Sequence, residues 1–367
     1  MSPLWLAAGL ILIFTVLWDA FETVVLPRTA TRRLRLAGIY FRATWLPWAR
    51  AARGFRSDGR RERFLAIYGP VSVLGLLVVW AVALIVGFAL LQSALGSRLV
   101  LDTGPAGFTV DLYLSGTTFF TLGLGDVRPI GAVARLLTVI ESGMGFAFLA
   151  IVIAYFPVIY QCFSRREVRI TLLDAWAGSP PTAGEVLRRL ADARELDALR
   201  AFLKDWEYWC SELLESHISY PMIAFFRSQH QRQSWVSALA AVLDLSALVL
   251  VGIDEVPTWQ AHVTFAIARH AVVDLTQVLR APRRTGDVDR LPAADLEHLR
   301  RELEESGLRP ARSAAADVGL AELRRSYEPY VLGLGELLMM PVPPWWQRSP
   351  RRDNWQTSTN RGAAPDL

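Results

Sequence analysis

The chain has 367 residues, 52% of them hydrophobic, and a formal net charge of +4 carried almost wholly by arginine, Lys204 being its one lysine. That apolar share is high for a water-soluble protein, and the excess falls in the first 165 residues, so the chain reads as membrane-embedded at its N-terminal end. Cys162 and Cys210 carry neither a disulfide framework nor metal-ligand spacing, and the sequence holds no dinucleotide fingerprint, no P-loop and no internal repeat.

Leu4 to Leu26 is a largely apolar run, long enough to cross a bilayer core of ~30 Å. It lacks a basic leading region and a small-residue cleavage site, so it reads as a retained span within segment 1–27 and not as a signal peptide. Asp19 and Glu22 near its end either sit at the headgroup level or pair with nearby arginines and fix this helix in place. Segment 28–63 follows with eleven arginines, which the positive-inside rule assigns to the cytoplasm and which puts the N-terminus outside. Within it, Ile39, Tyr40, Phe41, Trp45, Leu46 and Trp48 interleave with Arg42, Arg50 and Arg53. That mix predicts an amphipathic helix on the membrane surface, and its place between two spans argues against nucleic acid as a partner.

Phe64 to Leu95 predicts a second span, and Ser97 to Thr109 a polar connection containing Asp102. Val110 to Phe120 is a short apolar helix, followed by Thr121-Leu122-Gly123-Leu124-Gly125-Asp126 and Pro129. Glycine takes positive φ without steric penalty, so Gly123 and Gly125 suit a backbone that alternates between conformations of opposite hand. Ile130 to Phe163 predicts a third span, with Gly143 and Gly145 near its middle, Pro157 near its end, and Glu141 as its one acid. Arg135 is too far round the helix to pair easily with Glu141, so the partner is expected on the short helix or on another subunit.

The stretch Thr121 to Asp126 resembles the selectivity-filter signature of pore-loop potassium channels, and its Leu124 is similar to some second filters of two-pore-domain potassium channels. The resemblance covers about residues 67 to 160 and departs from the family at Leu122, where Val is usual, and at Leu124, where Tyr or Phe is usual. It implies an all-α membrane protein: a tetrameric potassium-channel pore of outer helix, pore helix, filter and inner helix within segment 64–164, preceded by an extra transmembrane helix. Backbone carbonyls would replace the hydration shell of K+ at Thr121, Leu122, Gly123 and Leu124, with Gly125 completing the filter and Thr117, Thr118 and Asp126 flanking it. Gly143, Gly145, Pro157 and Glu141 are then gating candidates, Glu141 facing either the cavity or the pore helix. The implied function is potassium conduction by a homotetramer in a cell membrane, here the bacterial inner membrane. K+ is the transported ion, no organic cofactor is called for and no enzyme constellation is present. The alternatives are a nonselective cation channel of the same architecture and a non-conducting membrane scaffold.

Segment 165–342 changes character. Gly178-Ser179-Pro180-Pro181 is a turn signal, Thr182 a candidate helix cap, and the helical patterns that follow predict an α-helical cytoplasmic domain that could receive an unknown ligand. Ser234 to Gly252 is apolar enough to tempt a fourth span, but it is short and carries Asp244 at its middle, which favours a buried core helix over a crossing. His217, His230, His262 and His270 lack tight ligand spacing and read as satisfied histidines. Residues 343–367, rich in Pro, Arg and polar side chains, read as a disordered tail.

Overall fold

The computed structural model describes residues 2–24, 26, 36–96, 99–101, 107–230, 232–253, 256–284 and 289–347. The expectations for Asp102, for the arginines before residue 36 and for the tail beyond residue 347 lie outside the described residues. Two compact units divide the chain, Met1–Gln161 and Cys162–Leu367.

The first unit contains α1 (Pro3–Val24), α2 (Leu36–Arg53), α3 (Asp58–Ala94), β1 (Leu99–Leu101), α4 (Phe108–Phe119), β2 (Val127–Pro129) and the greater part of α5 (Ala132–Ala177). Among the described residues α1, α3 and α5 are long and apolar enough to cross a membrane, so the chain is a multi-pass membrane protein. At 1.5 Å per residue the 37 residues of α3 and the 46 of α5 extend roughly 56 and 69 Å, well beyond a ~30 Å hydrocarbon core.

Small residues set the approach of α1 to α3. A Cβ on Gly9 would stand 2.8 Å from the Gly87 carbonyl oxygen, and one on Gly87 would stand 2.6 Å from Ile13 Cγ1, so both positions exclude a larger side chain. Lower on α1, the buried Asp19 accepts from Trp80 Nε1 of α3 at 3.0 Å and from the Ala37 amide at 3.1 Å, which ties α1, α2 and α3 together. Asp19 thus fixes its helix through an indole and a helix N-terminus, where orphan amide donors favour a carboxylate.

One face of α2 is covered within the chain. Ala37, Phe41, Trp45, Ala49 and Ala52 recur at helical spacing, are buried and pack chiefly on α3, while Ile39 and Leu46 of the same helix stay exposed. Tyr68 Oη donates to the Phe41 carbonyl at 2.9 Å, Trp48 Nε1 donates to the Phe64 carbonyl at 3.2 Å, and the Trp48 and Phe64 rings stack at 4.5 Å. Arg42, Arg50 and Arg53 stay exposed on the opposite side.

The second unit is helical: the end of α5, then α6 (Ala183–Asp192), α7 (Ala198–Ser219), a 3-10 turn (Pro221–Phe225), α8 (Trp235–Val251), α9 (Trp259–Leu279), α10 (Ala293–Glu305) and α11 (Ala314–Leu338). Thr182 caps α6 by accepting from the Glu185 amide, and Ser234 and Ser313 cap α8 and α11 in the same way. Every residue of α8 from Trp235 to Val249 is buried, and α6, α7, α9 and α11 pack around it, so α8 is the core helix of this unit. Asp244 is tolerated there because Arg290 reaches both of its carboxylate oxygens and Tyr327 Oη donates to one at 2.6 Å.

The third apolar helix does not end at Phe163, the last residue of the span the sequence predicts. It runs unbroken to Ala177 and yields only at Gly178, whose φ is +77°. The expected tail also begins later. Ser237 Oγ donates to the Pro341 carbonyl, Arg290 to the Pro343 carbonyl at 2.8 Å, and the Gly184 amide to the Trp345 carbonyl at 3.0 Å, with the Trp345 ring fully buried. Residues 341–347 are therefore a strap on the helical unit, held by the aromatic and proline side chains that made the segment resemble a linker.

Candidate functional site

The motif singled out in the sequence follows the C-terminus of α4. That end closes tightly: the Phe120 amide donates to Gly116 at 3.1 Å, Thr121 to Thr118 at 2.9 Å and Leu122 to Thr117 at 2.8 Å. Beyond it the chain takes positive φ at every second residue, 55° at Thr121, 59° at Gly123 and 83° at Gly125. The glycines meet the expectation of alternating hand. Thr121 does so as well, against a Cβ penalty of roughly 1–2 kcal/mol, and the two amide bonds that bracket it hold it there. Residues 121 to 125 are exposed, Leu122 and Leu124 by more than half.

Both flanks of this segment are pinned. Tyr113 Oη of α4 donates to Asp126 Oδ2 at 2.8 Å, bridging the segment from start to finish. Sequence reading missed Tyr113, which gave no signal of this contact. After Asp126 the strand β2 pairs antiparallel with β1, Leu99 opposite Pro129 and Val100 opposite Arg128. Thr117 Oγ1 turns back to the Leu114 carbonyl, and Thr118 is buried.

The four gating candidates fall in different surroundings. Gly145 touches the end of α4: a Cβ there would run into the Phe119 carbonyl oxygen, so its small size serves a close approach of two helices. Gly143 faces open space. Pro157 lies inside α5, which continues through it. Glu141 is completely buried and meets Ser115 Oγ of α4, while Arg135 donates to the Pro129 carbonyl instead. Of the two partners expected for Glu141, this one lies within its own chain.

The last part of α5 enters the helical unit through Arg166, which is buried. Its guanidinium donates to the Ile223 and Phe226 carbonyls at 3.0 and 2.7 Å, meets His217 Nε2 at 3.1 Å and Glu167 Oε1 at 3.0 Å. His217 Nδ1 donates to the Leu213 carbonyl at 2.9 Å, so Nε2 is the acceptor for Arg166 and the ring is neutral. Burial, reinforced by the adjacent Arg166 cation, holds the His217 pKa well below its ordinary value. Arg169 pairs with Asp205 at 3.3 Å. No cluster of His, Cys, Asp and Glu suited to a metal occurs among the described residues.

Residues 75–161 match the family model described as "Ion channel". That segment begins within α3, takes in α4 and the Thr121–Asp126 turn, and ends in α5; the match is to channels and not to enzymes. The chain is 25% identical over 204 residues to the uncharacterized membrane protein YdjJ of Bacillus subtilis (strain 168), an alignment covering 54% of this chain and 58% of that one. It is 32% identical over 90 residues to protein LctB of Bacillus caldotenax, covering 22% of this chain and 66% of that one. The chain thus spans somewhat under two thirds of the length of each of these relatives. No solved structure matches it.

Proposed function

We propose that this chain is one subunit of a homotetrameric, potassium-selective channel in which the backbone carbonyls of Thr121, Leu122, Gly123, Leu124 and Gly125 line the ion path. The observation that carries this reading is the positive φ at Thr121, Gly123 and Gly125, alternate residues immediately after a short helix. Left-handed conformations at every second position are what lets successive carbonyls face one side of a strand, and a ring of such oxygens can replace the water around K+. A single chain supplies only one side of that ring. Irregular backbone at membrane depth is stable only when protein or a water-filled path surrounds it, so four copies complete the site. The exposed surface of α5 agrees with this: 11% of its most apolar window is buried, against 44% for α3, which leaves an uncovered apolar face to other subunits and lipid. On this reading α3, α4 and α5 are outer, pore and inner helices, Thr117, Thr118 and Asp126 support the filter, and the second unit is cytoplasmic.

The test is reconstitution of the full-length protein in liposomes with measurement of cation flux and reversal potential. Flux that follows the potassium gradient and rejects sodium is the expected result. Equal passage of both ions would make it a nonselective cation channel, and absence of flux from correctly inserted tetramers would leave a membrane scaffold.

A further inference from the structure

The contact between Glu141 and Ser115 has a third member. Ser115 Oγ also lies 2.7 Å from the carbonyl oxygen of Ile85 in α3. Ile85 O can only accept, and a serine hydroxyl has a single hydrogen. If that hydrogen goes to Ile85, the close approach of Ser115 Oγ to Glu141 Oε1 needs a second one, and the carboxyl group of Glu141 is the group able to carry it. The other oxygen points the same way independently. Glu141 Oε2 is buried and has no hydrogen-bond partner, and no ion pair to Glu141 exists among the described residues. An unpaired carbonyl oxygen of a neutral acid is tolerable at such a place, whereas an unpaired anionic oxygen would carry a far larger desolvation penalty.

Position gives this arrangement its consequence. Ser115 and Phe119 stand one turn apart on α4, and Glu141 and Gly145 one turn apart on α5. Ser115 meets Glu141 through the hydroxyl–carboxyl contact, and Phe119 meets Gly145 through the close approach of Gly145 to its carbonyl. Both fix α4 just before it hands the chain to Thr121. We propose that Glu141, as a neutral acid, donates to Ser115, which donates to Ile85 O, and that this relay positions the end of α4 and with it the selective conformation of residues 121 to 125. The proposal rests on the channel reading above. Glu141 and Ser115 are positioning residues, since neither touches the ion.

The experiment compares wild type, S115A, E141L, the double variant S115A/E141L and E141Q, each as full-length protein in liposomes, with tetramer content checked by size-exclusion chromatography. E141L and S115A each break the relay and are expected to lower the potassium-over-sodium permeability ratio by about tenfold, the size of effect that one buried hydrogen bond supports. The double variant falls no further than either single one, because both remove the same relay. E141Q rescues selectivity, its amide N–H donating to Ser115 in place of the acid. Wild-type selectivity in S115A and E141L, additive losses in the double variant, or an E141Q as poor as E141L would each overturn the relay. Infrared difference spectra of wild type against E141Q give a second reading independent of flux and of how the other variants assemble. A protonated carboxylic-acid band lost in E141Q is expected, and a carboxylate band in its place would end the proposal. Absence of potassium flux through wild type would remove the channel reading while leaving this spectroscopic result to stand.

Discussion

At Gly123 and Gly125 the φ angles of 59° and 83° lie in the region that a Cβ opposes. Among the described residues no neighbouring atom crowds either position, so the demand for glycine is conformational and local to the backbone. Gly145 presents the opposite case: its backbone is ordinary helix, and the demand comes from the Phe119 carbonyl facing it. These two kinds of glycine predict different failures. Gly123→Ala or Gly125→Ala misdirects the carbonyls at roughly 1–2 kcal/mol per chain, multiplied over the copies around one axis, and is expected to abolish potassium flux while tetramers still form. Gly145→Ala forces α5 away from α4 and is expected to lower the yield of folded tetramer as well as flux, whereas Gly143→Ala, with open space around it, leaves assembly intact. Flux assays paired with size-exclusion chromatography read both quantities. Wild-type flux through Gly123→Ala or Gly125→Ala would remove the filter assignment, and a Gly145→Ala protein that assembles like Gly143→Ala would remove the close-approach argument.

Helices are the scale at which the sequence was most legible. The turn at Gly178, the Thr182 cap and the ends of α8 follow from local chemistry, which leaves its mark within a few neighbouring residues. The filter-like segment was legible for the same reason, since positive φ selects glycine. What could not be read was which apolar face meets which. The pattern on α2 shows that one face is covered, and it is identical whether the cover is lipid or α3. Arg166 is a similar case: its sequence setting does not separate it from Arg165 and Arg169, and only the fold shows two carbonyls and a neutral histidine around its guanidinium. Ser115 carried no signal at all, because a serine in a short apolar helix has many uses. The buried Arg290–Asp244 pair bears on topology directly. Asp244 has its pKa raised by burial, partly offset by Arg290, and the pair occupies the middle of a helix covered on all sides by protein. A 17-residue helix in that setting does not cross a bilayer. Reporters fused after Gly178 and after Gly252 are therefore expected to report the same side of the membrane, the cytoplasmic one by the arginine asymmetry of the sequence. Opposite sides at the two positions would mean that α8 crosses, and a periplasmic signal at both would invert the whole topology.

For the molecule as a whole, the decisive feature is that one helix belongs to both units. From Ala132 to Ala177 α5 has no break, and the unit boundary falls between Gln161 and Cys162 in mid-helix. Beyond that boundary its residues are built into the helical core: Ile170, Leu173 and Ala177 are buried there, and Arg166 is held by four groups of the same unit. Pro157, Gly145 and Glu141 lie on the same helix on the other side of that boundary, so α5 is the covalent route by which a rearrangement of the helical unit would reach them. A ligand of that unit could act on conduction only through its difference in affinity between open and closed arrangements, and α5 is the link through which that difference would pass. The alternative is a unit that merely tethers subunits. A short Gly-Ser insertion between Gln161 and Cys162 separates the two without deleting any packed residue. Helical continuity is lost, while the first unit keeps its α4 contacts and the second its Arg166 socket. If the helical unit regulates, the inserted protein forms tetramers with wild-type conductance and selectivity and an altered open probability in single-channel recordings. Unchanged open probability would exclude mechanical control through α5, and loss of tetramers would assign the unit to assembly.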